Sequence, residues 1–264
     1  MTAKSIKYNN FNFQDTNWRT KDIIYRNLPT KVLDIEPLSR RDGFRLVNTY
    51  YSDKQISISG TVTSDSEANL RILVDSMKKA LSENEANLEI TDGADTVSWI
   101  ATVGSVSIPE EFYNITTLPY KISFTCQPFG KATTITTSTA SIENTSSLSA
   151  TIVIAGSAYP RPVIRWTVSG SPASDITGIS ITNNTTGDTL TATGLALSGD
   201  GDYFEIDTEE MSAVQNTGSG EVEIDFTGVF PRFATSTNSY AVTIVGGGAT
   251  KKLNQSITYY ASYL

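Results

Sequence analysis

The densest cluster of charge in this chain is an acidic segment, GDGDYFEIDTEE, at residues 199–210. Its carboxylates are hard oxygen ligands of the kind that Ca²⁺ prefers, with Asp200, Asp202 and Asp207 as weak candidate ligands. The segment lacks the glycine and the spacing of an EF-hand loop. A solvated face of a β-hairpin accounts for the same residues, and we adopt this interpretation.

Catalytic chemistry is restricted by the residues that the chain lacks. There is no histidine, which removes the usual general base and excludes Ser-His-Asp and Cys-His catalysis. A glycosidase needs two carboxylates about 5–10 Å apart across a cleft, and the sequence identifies no such pair. Cys126 is the single cysteine, and the apolar alternation around it predicts a core position. We therefore expect no enzymatic activity, no catalytic residue, no metal and no cofactor.

Aromatic residues of the second half form another candidate site. Tyr159, Tyr203 and Tyr260 are candidates for stacking against sugar rings on the face of a β-domain. Aromatic residues on such faces are more often part of a core or an interface. Both interpretations stay open from the sequence.

Composition and charge bound the class of protein. The 264 residues are 39% hydrophobic and 18% charged, which indicates a globular chain rich in strands and turns. The net charge of −8 opposes the basic face of a free nucleic-acid binder. The N-terminal stretch has no apolar signal-peptide core, and no run approaches the roughly 18 apolar residues that span a membrane. We therefore expect no membrane insertion.

A change of periodicity identifies one helix between strands. Residues 56–62 alternate between apolar and polar types, which predicts a half-buried strand. A capping-box pattern at Ser64 and Glu67 follows, and apolar residues then recur at helical spacing, which predicts a helix over residues 65–82. The apolar positions of this helix are Leu70, Leu73, Val74, Met77 and Leu81.

The remaining strands predict two β domains. A Ser/Thr-rich stretch at residues 131–149 is the best boundary in the sequence, although it is compatible with hidden strands. We place the domains at residues 1–130 and 131–264. The second domain carries apolar alternation at the spacing of a two-sheet sandwich. The predicted fold is therefore mainly β, with a helix-bearing first sandwich and a second sandwich.

The order of these elements resembles that of the distal tail proteins (Dit) of phages with long, non-contractile tails. The resemblance runs from RRDGF at residues 40–44 through the strand ISISG and the helix SEANLRILVDSMKKAL to the closing strand KISFTCQPF. The second half adds YPRPVIRW, GDYFEID and VQNTGSGEVEIDFTGVFPRF, which are similar to the outer domain of that family. The resemblance implies a tail-tube-like ring domain and a galectin-like or carbohydrate-module-like outer domain.

This resemblance also implies a role. Such a protein forms a hexameric ring in the baseplate of a siphovirus tail tip, around a channel through which DNA passes without specific binding. Its implied partners are further copies of itself, the tail tube protein, the hub and tape-measure proteins, and side fibres or a receptor-binding protein. Its implied location is the virion, after assembly in the host cytoplasm.

The segment before Ile56 is rich in Tyr and Arg and is a candidate intersubunit arm, with Tyr50, Tyr51, Ile56 and Ile58 as candidate ring-interface residues. The alternative for this segment is packing on its own domain. The alternative for the whole chain is a freestanding carbohydrate-binding or adhesion module that attaches to bacterial surface glycans. An assembly near six protomers in mass would distinguish the ring from the module.

Overall fold

The computed structural model describes residues 5–38, 42–109 and 116–264. Within these ranges the chain is mainly β, which confirms the predicted fold class, and it contains one α-helix. No helix in the described ranges has the length and apolar character needed to cross a membrane. The chain divides into two compact units, one formed by residues 1–133 with 263–264 and the other by residues 134–262.

The first unit is an antiparallel β structure with one helix. Its elements are β1 (Ser5–Tyr8), β2 (Phe11–Asn12), β3 (Trp18–Ile24), β4 (Lys31–Pro37), β5 (Phe44–Tyr51), β6 (Lys54–Thr63), α1 (Glu67–Leu81), β7 (Ala86–Asp92), β8 (Asp95–Ser107) and β9 (Thr117–Cys126). The main sheet has the strand order β3-β6-β9-β8-β7-β1-β2. Strand β8 pairs with β7 through its first half and with β9 through its second half, and its register shifts between Val103 and Ser105.

The helix predicted over residues 65–82 is found at Glu67–Leu81. Its N-cap is Ser66 rather than Ser64, because the Ser66 side chain accepts a hydrogen bond from the backbone N–H of Asn69. The helix buries one face, formed by Leu70, Val74, Met77 and Leu81, in the core of the first unit. This is the face that the apolar spacing predicted.

The core of the first unit lies between this helix and the sheet. The alternation in β6 places Ile56, Ile58 and Val62 on the buried side of the strand. Large aromatic side chains from other strands complete the core, namely Tyr8, Phe13, Trp18, Trp99, Tyr120 and Phe124. Cys126 is also in this core, as predicted, and its burial raises the pKa of the thiol to about 12.

The second unit contains the remaining strands. They are β10 (Gly130–Glu143), β11 (Ser147–Val153), β12 (Val163–Val168), β13 (Ile176–Asn183), β14 (Thr189–Leu197), β15 (Tyr203–Asp207), β16 (Ser212–Asn216), β17 (Glu221–Glu223), β18 (Phe226–Gly228), β19 (Thr237–Gly246) and β20 (Lys252–Tyr263), with a 3₁₀ turn at Gly248–Thr250. The first residues of β10 and the last of β20 belong to the first unit. Because β10 and β11 together cover most of the Ser/Thr-rich stretch at 131–149, this stretch is mainly strand.

Two sheets enclose the core of the second unit. One has the order β17-β16-β15-β12-β20-β10 and the other the order β11-β19-β13-β14-β18. The Trp166 and Phe204 rings stack with centroids 5.7 Å apart and are fully buried. Ile181 and Val242 from the other sheet belong to the same core cluster. The second unit is thus a β-sandwich, as its strand spacing predicted.

Candidate assembly surface

Strands β4 and β5 form a two-stranded hairpin, here called the arm, that pairs with no other strand in the described ranges. At its base the backbone N–H of Thr30 donates to the carbonyl of Asp53 at 2.7 Å, and that of Ser52 donates to the carbonyl of Thr30 at 2.9 Å. An isolated two-stranded hairpin is only marginally stable in water. Packing of the arm against another surface would therefore stabilise it.

The register of the arm separates its side chains into an apolar and a polar face. Ile35 lies opposite Leu46 and Pro37 lies opposite Phe44, and residues opposite one another point to the same side of a sheet. The pairing register shifts between Asp34 and Ile35. The alternation of apolar and polar residues along β4 continues through this shift. The apolar face carries Leu33, Ile35, Pro37, Phe44 and Leu46. The polar face carries Val32, Asp34, Glu36, Arg45, Asn48 and Tyr50.

The apolar face has no cover within the described part of the chain. Leu33, Ile35 and Leu46 each leave about half of their surface exposed, and Phe44 leaves 63% exposed. Full burial of such a side chain contributes roughly 1.5–3 kcal/mol. Covering this face would thus contribute several kcal/mol, and clustered exposed apolar side chains of this kind mark interaction surfaces.

The two candidate tyrosines lie on different sides of the arm. Tyr51 is partly buried, and its ring meets that of Phe129 edge-on with centroids 5.7 Å apart. Tyr50 lies on the polar face and is 53% exposed. Tyr51 therefore fixes the base of the arm to its own unit, and Tyr50 stays accessible to a partner.

The prediction that Ile56 and Ile58 form an interface is corrected by their burial. Both side chains are almost fully buried in the core of the first unit. Strand β6 is paired on both sides, with β3 and β9, so its backbone edges are also occupied. These residues stabilise the protomer and present no surface to another copy.

The acidic segment forms turns and a strand. Asp202 is buried and accepts hydrogen bonds from the backbone N–H groups of Ser198 and Gly199. Asp200 and Asp207 likewise accept from backbone N–H groups of turns at 2.6–3.0 Å. Nowhere in the described ranges do three or more Cys, Asp or Glu side chains group in a way that could hold a metal ion. Asp200, Asp202 and Asp207 thus fix local backbone geometry.

The three candidate sugar-stacking tyrosines do not share one platform. The Arg165 guanidinium lies 4.2 Å from the centroid of the Tyr203 ring, and the Tyr203 hydroxyl donates to Glu221 at 2.6 Å. The hydrogen bond to Glu221 is the main cause that raises the pKa of Tyr203. In the strand register, Tyr203 is level with Asn254 of β20. Tyr260 therefore lies about 20 Å further along the sheet.

Tyr159 and Tyr260 are the exposed members of that set, at 62% and 43% of their surface. Ala158 forms a bridge with Ser262, which places Tyr159 near the same end of β20 as Tyr260. These two rings are accessible to a ligand. The ring of Tyr203 has one face occupied by Arg165.

Comparisons with solved structures identify the fold. The chain matches the crystal structure of SPP1 Dit (gp 19.1) with a TM-score of 0.68 and 12% sequence identity, over 100% of both chains. SPP1 Dit is described as a paradigm of the hub adsorption apparatus in phages that infect Gram-positive bacteria. The chain thus has the Dit fold over its whole length, which confirms the fold implied by the resemblance.

Two other structures match less well. They are the phage P2 baseplate in its activated conformation with Ca and with Sr, at TM-scores of 0.44 and 0.42 and 11% and 12% identity. The match covers 97% of this chain and 98% of each matched chain. No protein-family model and no curated protein sequence matches the chain.

Sequence reasoning missed the apolar face of the arm. The signal was present, because Leu33, Ile35 and Pro37 alternate with polar residues and Phe44 precedes Leu46 by two positions. The pattern could not show whether this face is covered, and within residues 5–38, 42–109 and 116–264 nothing covers it. Arg40 and Arg41, the first two residues of the stretch RRDGF, lie outside the described residues.

Proposed function

We propose that this protein is a structural component of a phage tail tip, a distal tail protein whose copies form a ring. The observation that carries the proposal is the exposed apolar face of the arm in a chain with the fold of SPP1 Dit. The occupant of this face is a second copy of the same chain. The role is structural, without catalysis.

A ring built from one kind of subunit needs a heterologous contact whose rotation closes on itself. The arm supplies one side of such a contact, because it projects two paired strands with apolar side chains on one face and polar ones on the other. The apolar face would pack on the first unit of the next copy, and the polar face, with Tyr50, would meet solvent or a further tail protein. We propose a hexameric ring.

The proposed partners follow from a ring of this kind. The first units would surround a channel and stack on the tail tube protein and on the hub and tape-measure proteins. DNA would pass without specific binding, and the net charge of −8 would disfavour its retention. The second units would carry side fibres or a receptor-binding protein. The proposed location is the tail tip of the virion, with assembly in the host cytoplasm.

The mass and shape of the purified protein test the ring. Light scattering after size exclusion should give a particle near six times the protomer mass for the protein alone, and six protomers plus the mass of the bound partner in the presence of the tube or hub protein. Negative-stain microscopy should show closed rings with a central hole. A particle that stays monomeric in the presence of these proteins would contradict the proposal.

A second candidate function is contact with bacterial surface glycans through the second unit. It is favoured by the exposure of Tyr159 and Tyr260, because aromatic faces stack on sugar rings. Weak contacts would be strengthened by the effective concentration of several copies on one ring. A glycan array probed with the full chain tests it, with Tyr159→Ala as the variant that should lose signal. Uniform absence of binding would remove this function and leave the ring untouched.

A further inference from the structure

The first unit contains a cavity of about 440 Å³ at the end of its core. It lies where β6 begins, β9 ends and the turn between β7 and β8 closes. Its walls include Tyr25, Lys54, Ile90, Asp92, Val97 and Trp99. The volume lies within the range of about 300–1,000 Å³ that is usual for small-molecule pockets, so it would hold an amino-acid-sized ligand with space to spare.

Lys54 is the unusual residue of this cavity. Only 1% of its surface is exposed, and it lies directly opposite the buried Cys126 in the β6–β9 register. Its ammonium nitrogen is 5.3 Å from the centroid of the Trp99 ring. Among residues 5–38, 42–109 and 116–264, Lys54 has neither a hydrogen-bond acceptor nor an ion-pair partner.

A buried ammonium without an anionic partner is costly, because its desolvation is not offset by an attraction. Burial accordingly lowers the pKa of Lys54. The Trp99 ring offers a weak attraction to the cation through its π face. An anion next to Lys54 would remove the remaining cost.

Trp99 adds a second donor in need of an acceptor. Its indole N–H is buried and has no hydrogen-bond partner in the described part of the chain. Buried donors are nearly always paired in folded proteins, so a donor left over beside a cavity indicates an absent acceptor. Lys54 and Trp99 both line the cavity, and neither the ammonium nor the indole N–H has an acceptor in the described part of the chain.

The other charged groups near the cavity define how much negative charge it can take. Asp92 accepts hydrogen bonds from the Tyr25 hydroxyl at 2.5 Å and from Arg26 at 2.8 Å, so its charge is offset locally. Asp95 is exposed at the rim. Arg26 and Leu264 also line the cavity and already have interaction partners, so Lys54 is the cation available to a ligand among the described lining residues. The two aspartates would repel a dianion such as phosphate.

We propose that this cavity binds a single carboxylate group, with Lys54 as its counter-charge and the Trp99 indole as a donor and flat apolar wall. The carboxylate has two conceivable sources, a free small molecule or an acidic side chain presented by another protein chain. Both present the same chemistry to Lys54. The site is independent of the proposed ring function.

Protection of the Lys54 amine from acylation tests the site in the full chain. A small N-hydroxysuccinimide ester acylates exposed amines quickly and reaches Lys54, of which only 1% is exposed, slowly and through the cavity. Mass spectrometry over a long time course gives the rate at each lysine. Glutarate represents the free carboxylate, and a capped Gly-Glu-Gly tripeptide represents the side chain. We expect saturable slowing of labelling at Lys54 and no slowing at Lys121, which is exposed on β9. Tighter binding of the tripeptide would identify a protein side chain as the source, and tighter binding of glutarate a free molecule.

The variant Lys54→Met provides the second arm, because it keeps an unbranched side chain that is shorter by one atom and removes the charge. Calorimetry should show carboxylate binding weakened by about 10- to 100-fold relative to the unmodified chain, as expected for a lost hydrogen bond to a charged group. Lys121→Met should bind as the unmodified chain does. The Lys54→Met protein should fold, because removal of an unpaired buried charge is not destabilising. Labelling of Lys54 that neither ligand slows, or equal binding by Lys54→Met, would overturn the proposal.

Discussion

Ile35 of β4 and Leu46 of β5 lie directly opposite each other in the arm, and each leaves half of its surface exposed on the same apolar face. If this face is covered by a neighbouring copy, a charge placed there must be desolvated on assembly, which is costly. We therefore expect Leu46→Asp to abolish the ring while leaving the thermal stability of the protomer nearly unchanged. Light scattering and a thermal melt measure the two effects.

The matched control for that variant is Asn48→Asp, which introduces the same charge on the polar face of the same strand. It should assemble as the unmodified chain does. Rings that persist in Leu46→Asp, or rings lost equally in both variants, would show that the apolar face is not the contact.

The helix α1 offers a comparison between a buried and an exposed apolar residue. Met77 is fully buried in the core, whereas Ile72 on the same helix is 63% exposed. Met77→Ala should lower the free energy of unfolding of the first unit by about 2–5 kcal/mol, because it leaves a cavity. Ile72→Ala should change it by less than about 0.5 kcal/mol.

Urea unfolding followed by tryptophan fluorescence measures this difference. A Trp166→Phe background removes the signal of the second unit, so that Trp18 and Trp99 report on the first unit alone. Equal destabilisation by the two alanine variants would contradict the assignment of the buried face of the helix.

Asp188 and Arg232 form a pH-sensitive contact in the second unit. Asp188 is buried, and the Arg232 guanidinium donates to both of its oxygens at 3.1 Å. These hydrogen bonds lower the pKa of Asp188 below its usual value. A carboxyl with a lowered pKa stabilises the fold above the pKa of the unfolded chain, near 3.9, and this contribution is lost as the pH falls through the folded-state pKa.

Asp188→Asn should therefore cost about 1–2 kcal/mol at pH 7, a discounted value because the Arg232 side chain is largely exposed to water. The difference from the unmodified chain should shrink below about pH 4. Urea unfolding at several pH values measures it in a Trp18→Phe, Trp99→Phe background, where Trp166 alone reports on the second unit, with the exposed Asp225→Asn as the control. A difference that stays constant down to pH 3 would refute the ionic contribution.

The sequence predicted those parts of the fold that depend on local periodicity. The buried face of α1 and the alternation in β6 follow from the spacing of Leu70, Val74 and Met77 and of Ile56 and Ile58. Ile56 and Ile58 are interface candidates from the sequence because they neighbour the Tyr- and Arg-rich segment, although the alternation already indicates that one face of their strand is buried. A period of two identifies an apolar face, but it does not tell whether the cover comes from the same chain or from another.

The parts that could not be predicted depend on pairings between distant residues. Lys54 meets Cys126 only because β6 and β9 pair in one register, and nothing in the sequence around Lys54 marks it as buried. Arg165 lies over the ring of Tyr203 because β12 and β15 are neighbours, which removed one candidate for sugar stacking. Ser/Thr-rich strands such as β10 also lack the apolar alternation that identifies a strand.

Tyr51 and Phe129 anchor the base of the arm through an edge-on ring contact. An aromatic pair of this kind contributes about 0.5–1.5 kcal/mol, so Tyr51→Ala should increase local opening of β5 by about 2- to 10-fold. Hydrogen exchange of the β5 amides, followed by mass spectrometry, measures this opening. Tyr50→Ala is the matched control, because the adjacent side chain lies on the polar face and is exposed. If both variants exchange alike, the Phe129 contact does not hold the arm; if only Tyr51→Ala opens faster and also forms fewer rings, the anchored arm is the part of the protomer that assembly requires.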